Sequence, residues 1–159
     1  MKNTLLKLII CLFSVSFLFS FSHEQKSTPE LVLTNVKTNK SIKVCEKYNP
    51  DKIEALLGKA ITLDKEILEK GEAPVFTFNY DGLVMEMQND QIKLLTITNK
   101  KWKLNKFTVG IYVEDIAALH EKHEAKFVTD RRFKVKDSKA IIFAQVNSIQ
   151  QVTKIGVVF

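Results

Sequence analysis

Phe76-Thr77-Phe78-Asn79-Tyr80-Asp81-Gly82-Leu83-Val84-Met85-Glu86-Met87 is the stretch that decides the fold. Phe76, Phe78 and Tyr80 alternate with Thr77 and Asn79, and Leu83, Met85 and Met87 alternate with Val84 and Glu86. Period-two alternation on both sides of an Asp-Gly dipeptide predicts a half-buried antiparallel hairpin. The dipeptide suits a type I′ turn, which requires positive φ at both central residues. Asn89-Asp90 then turns the chain into Ile92–Ile97, a third strand of the same meander.

Working outward, Asn49-Pro50 predicts a helix start, because Asn caps free amides and Pro fits the first helical position. Ile53, Leu56 and Leu57 follow on one face, and Gly58 stops the helix. Upstream, Leu31–Lys37 and Ser41–Cys45 flank Thr38-Asn39-Lys40 and read as a second hairpin. Asp64–Lys70 reads as a short charged helix. Past the meander, Phe107–Ile111 reads as a strand and Val113–His123 as a helix, since Val113, Ile116, Ala117 and His120 share one face. Strand-like runs at Phe127–Val135, Ala140–Val146 and Val152–Phe159 finish the chain.

The expected fold class is therefore α+β, an antiparallel sheet covered on one face by two or three short helices. Lys52–Lys59 aligns with Asp115–Lys122 at Ile, Ala, Leu and Lys, and Gln91–Ile97 tracks Gln151–Val157. These matches predict two pseudo-repeated strand–helix–meander units, about 41–98 and 107–159, within a single domain over 31–159.

The first residues set the address. Lys2 and Lys7 lead an apolar run, Leu8–Phe21, that ends in Ser20-Phe21-Ser22, so residues 1–22 read as a signal peptide and 23–30 as a flexible lead-in. Leu8-Ile9-Ile10-Cys11 departs from a lipoprotein box, because Ile10 is bulky and Cys11 falls too early. The expectation is a periplasmic or secreted protein, with no transmembrane segment after cleavage. The full chain of 159 residues carries a net charge of +6. Cleavage would remove Lys2 and Lys7 and no acid, leaving a mildly basic chain that does not suggest a dedicated nucleic-acid binder. Of the two cysteines only Cys45 would survive, so no internal disulfide forms. It reads as a small buried apolar residue.

Candidate chemistry is sparse. His120, His123 and Glu124 would share a helix face at i, i+3, i+4 and could hold a metal, but the zincin pattern needs histidines four apart. The competing reading has His120 completing the apolar stripe and His123 sitting near the helix C-terminus. No serine is framed by a nucleophile elbow, and the five glycines form no phosphate-cradling loop. No cofactor is implied. Lys100, Lys101, Lys103 and Lys106 surround Trp102. This stretch is the candidate binding patch if exposed, or a wet connection whose Trp102 and Leu104 pack inward.

Ile53–Lys59 followed by Phe76–Ile97, and Ile116–Lys122 followed by Phe133–Val157, together resemble small exported proteins built from helix-plus-antiparallel-meander units. Examples are the β-lactamase inhibitor protein family and the small lipoprotein of the outer-membrane assembly machine, and also exported domains of unknown function. The resemblance implies protein binding through sheet and loop surfaces without catalysis. The expected function is a non-enzymatic exported module that binds a protein or cell-envelope component. The alternative is a metal-binding protein or metal-dependent enzyme using His120, His123 and Glu124.

Overall fold

A computed structural model describes residues 30–117, 121–124, 130–135 and 138–159. Among the described residues, eleven strands and two helices follow one another. Strands β1 (Val32–Asn35) and β2 (Ser41–Lys43) form the expected hairpin. Helix α1 (Pro50–Leu57) begins where the capping chemistry places it. The Asn49 side chain accepts from the Lys52 amide at 2.8 Å, Pro50 opens the first turn, and the Gly58 amide closes onto the Glu54 carbonyl. Its buried face is Ile53 and Leu57.

Strands β3 (Thr62–Glu66), β4 (Val75–Tyr80), β5 (Leu83–Gln88) and β6 (Gln91–Ile97) form one antiparallel meander. Short β7 (Trp102–Leu104) returns to pair with β1, completing a three-stranded sheet in the order β2-β1-β7. Helix α2 (Val113–Ala117) precedes β8 (Glu121–Glu124), β9 (Asp130–Lys134), β10 (Ile141–Val146) and β11 (Val152–Val158). The large sheet runs β3-β4-β5-β6-β11-β10-β9-β8, and its two meanders are joined only where β6 meets β11.

One core lies between the small sheet and the inner face of the large one. Leu31, Leu33, Ile42, Trp102 and Leu104 belong to the same buried cluster as Phe78, Met85, Leu95, Ile142 and Ile155. On the opposite face of the large sheet Phe143 lies directly over Gly156, occupying the space a β-carbon there would need. A ring resting on a glycine fills the gap that the missing side chain leaves in the sheet surface.

These observations correct the expected α+β class. The described chain is mainly β, its helices have eight and five residues, and a second sheet rather than a helical layer shares the core. Residues 62–66 are an edge strand, not part of a helix: Leu63 and Lys65 oppose Phe78 and Phe76 on β4. The second helix, expected over Val113–His123, is described over Val113–Ala117, and residues 118–120 lie outside the described residues. The Glu121–Glu124 run offers no apolar helical face and forms a strand instead.

The strand expected over Phe107–Ile111 does not form. Phe107 closes back on Leu104 through paired backbone bonds around Asn105, whose φ is 54°. The strand–helix–meander units are corrected accordingly, because β2 belongs to the small sheet and no strand leads into α2. The turn chemistry also trades places. At Asp81-Gly82 only Gly82 has positive φ (79°), whereas Asn89 and Asp90 are both positive (54° and 61°), the type I′ signature.

Candidate binding cleft

The cleft is built from four separated pieces of chain. The β1 end supplies Asn35 and, just past it, Lys37. The end of α1 supplies Leu57, Lys59 and Ile61. The β4 turn supplies Tyr80 and Asp81, and the entry to β7 supplies Lys101 and Trp102. Its volume is about 360 Å³.

Asp81 organises one wall. Its carboxylate pairs with the Lys101 ammonium and accepts from Asn99 Nδ2 at 3.0 Å, while its backbone carbonyl accepts from Trp102 Nε1 at 3.0 Å. Asn99 Oδ1 in turn accepts from the Lys101 amide at 3.0 Å. The Lys101 ammonium beside it holds the Asp81 carboxyl below the usual carboxylate range, with the Asn99 amide assisting.

Aromatic rings form the floor. Tyr80 and Trp102 stand 5.3 Å apart between centroids with planes tilted by 59°, close to the edge-to-face range. Burial, helped by the Glu54 carboxylate, pushes the Tyr80 phenol up to about 12. It therefore stays protonated and donates to the Gly58 carbonyl at 3.0 Å. Ile61 stands at the rim, 72% exposed. Lys37 and Lys59 are exposed, and among the described residues neither has a carboxylate within ion-pair distance. Three ammonium groups and one carboxylate line the cleft, and with the Glu54 carboxylate near Tyr80 the balance is still positive.

The expected patch over Lys100–Lys106 is divided by the fold. Lys101 and Trp102 reach the cleft, but Trp102 is 2% exposed and serves as floor and core, not as a protruding anchor. Lys103 opposes Thr34 within the small sheet. The Lys100 stem crosses Gly110, and Lys106 lines a separate depression with Phe107, Ile111 and Asp115. Within β7 the alternation explains part of this division: Trp102 and Leu104 point inward, so Lys103 between them faces the other way.

Sequence reasoning missed Lys37, Lys59 and Ile61. Asp81 carried a signal, as a turn residue, but not for this role. For the metal alternative, His120 lies outside the described residues, while His123 and Glu124 lie in β8, so the helical spacing that grouped them is absent. Cys45 is exposed instead of buried. It borders a larger cavity of about 490 Å³ with Lys93, Lys139 and Phe159. Partial desolvation at the cavity edge, with the Glu30 carboxylate adding to it, pushes its thiol up.

No protein-family model and no curated protein matches this chain. Among solved structures it is similar, at 10% identity and a TM-score of 0.42, to an extracellular protein containing an SCP domain from Bacillus anthracis str. Ames. That likeness covers 70% of this chain and 43% of the other. Among the described residues no helix is long and apolar enough to cross a membrane.

Proposed function

We propose that the protein is an exported, non-catalytic binding module whose cleft holds an acidic segment of a protein or envelope component. The observation that carries this reading is that Lys37 and Lys59, without an ion-pair partner among the described residues, line one cleft with the Lys101–Asp81 pair and the Tyr80 and Trp102 rings. An incoming carboxylate gains two or three ammonium partners, and Ile61 offers an apolar contact at the rim. Charges of this kind steer encounter and fix orientation more than they add raw affinity. Export rests on the charged, apolar and small-residue succession of residues 1–22.

Trp102 is the only tryptophan, and it reports on the cleft floor. Titration with a glutamate-rich peptide is expected to shift its emission saturably, with affinity falling as salt rises. Lys37→Gln with Lys59→Gln is expected to weaken binding about three- to tenfold, chiefly through slower association. No saturable shift, or an unchanged affinity in the double variant, overturns the cleft reading. Stoichiometric zinc or copper lost in His120→Ala would overturn it in favour of the metal reading. For export, the mature protein is expected to begin near His23, and an acylated cysteine in the mature chain overturns export without lipid.

A further inference from the structure

Strand β3 ends the large sheet, and among the described residues its outer side is free. It pairs with β4, no other described residue pairs with it, and all five of its residues are exposed. The apolar residues Ile61, Leu63, Ile67 and Leu68 run along this exposed stretch. An edge of this kind is a template for a further strand unless its chemistry prevents pairing.

Its two faces differ in charge. Toward the core side stand Leu63 and Lys65, opposite Phe78 and Phe76, with the Lys65 ammonium over the Phe76 ring. Ile61 continues that face into the lysine cleft. The other face carries Thr62, Asp64 and Glu66, and Asn79 Nδ2 donates to both Thr62 Oγ1 and Asp64 Oδ2.

This pattern selects against a second copy of the chain. Antiparallel self-pairing maps a central residue onto itself. Registers centred on Asp64, Lys65 or Glu66 would oppose like charges, which destabilises a strand pair. A register centred on Leu63 leaves Asp64 against Thr62 and Lys65 against Ile61, without countercharge.

We infer that β3 is the docking edge for an extended segment of a partner protein, added antiparallel as the sheet's next strand. The segment places apolar residues against Ile61 and Leu63, an acidic residue against Lys65, and basic residues against Asp64 and Glu66. Its C-terminal end runs past Ile61 and delivers an acidic side chain to Lys59 in the cleft. Backbone hydrogen bonds hold the segment, and the alternating side chains select it. The inference rests on the cleft reading for that last contact only.

The probe is the peptide acetyl-Lys-Glu-Lys-Val-Thr-Val-Ser-Glu-amide, titrated into the full chain by calorimetry. Two N-methylated versions, blocking alternate amides, separate backbone pairing from charge attraction. Strand addition turns only every second amide toward β3, so one version is expected to lose at least about tenfold in affinity and the other to stay within about threefold. The charge-swapped peptide, with Lys and Glu exchanged, is expected to bind about tenfold more weakly or worse.

Equal affinity, or equal loss, for the two methylated versions overturns strand addition. So does the absence of binding at millimolar peptide, or a dimer of the unliganded chain that Leu63→Lys dissolves. Lys59→Glu distinguishes the two proposals. If it weakens the probe while methylation has no effect, the cleft stands and the edge falls. The reverse result sinks the cleft and the segment's acidic end with it.

Discussion

The Asn99 side chain occupies the space that a β-carbon on Gly82 would need. Gly82 itself has a φ of 79°, a region that L side chains rarely adopt, so two independent constraints hold this position. The same Asn99 bonds the Asp81 carboxylate and the Lys101 amide, which couples the β4–β5 turn to the wall of the cleft.

Gly82→Val is accordingly expected to cost about 1–3 kcal/mol in urea unfolding, the range for a residue held in a poorly populated backbone region. Displacement of Asn99 is expected to loosen the Asp81–Lys101 pair as well, changing Trp102 emission in the still-folded protein. Unchanged unfolding and emission would mean that the turn is built differently.

Trp102 is buried and hydrogen-bonded, so its emission is expected to be blue-shifted and resistant to iodide quenching. Trp102→Ala is expected to cost about 3–5 kcal/mol, the usual loss for a core tryptophan. A red-shifted, readily quenched emission would contradict the placement of the ring.

Two groups give opposite pH signatures. The folded Asp81 carboxyl lies below its ordinary range because of Lys101. Its contribution to stability is present above the unfolded aspartate value and lost as the pH falls through the folded one. Lys101→Gln should flatten that acid-side slope. Tyr80, raised to about 12 by burial, behaves in reverse. The unfolded chain deprotonates first, so stability declines from about pH 10 up to about pH 12. Ultraviolet titration should show one tyrosine ionising near the upper value, and Tyr80→Phe should remove it.

Gly156→Ala is expected to destabilise by about 1–3 kcal/mol, because the added methyl displaces the Phe143 ring in an already filled position. The cost should shrink in a Phe143→Leu background, which a double-mutant cycle reads directly. Additive effects would show that the two residues do not compete for the same space.

Local chemistry made some of this legible. Asn49, Pro50 and Gly58 fix α1 through short-range capping, and the alternation from Phe76 to Ile97 fixes β4, β5 and β6. Elements whose identity depends on distant partners were not legible. Residues 62–66 become a strand because β4 is beside them, and 102–104 because β1 is. The cleft belongs to this second group. Lys37, Lys59, Asp81 and Lys101 come together only after both sheets have formed, and no spacing along the chain announces that meeting. Lys101 and Trp102 stood out by composition, and both reach the cleft, Lys101 in its charged wall and Trp102 as its buried floor.

The seam between β6 and β11 also sets a timetable for synthesis. Strand β6 ends at Ile97 and its partner begins at Val152. At roughly 5–20 residues per second, a growing chain carries β6 without that partner for on the order of seconds. Throughout that interval the first meander has two unpaired margins, and Leu94 and Leu95 sit on the newly made one. The finished sheet conceals this vulnerable stage, because β11 closes the inner margin for good and leaves β3 open.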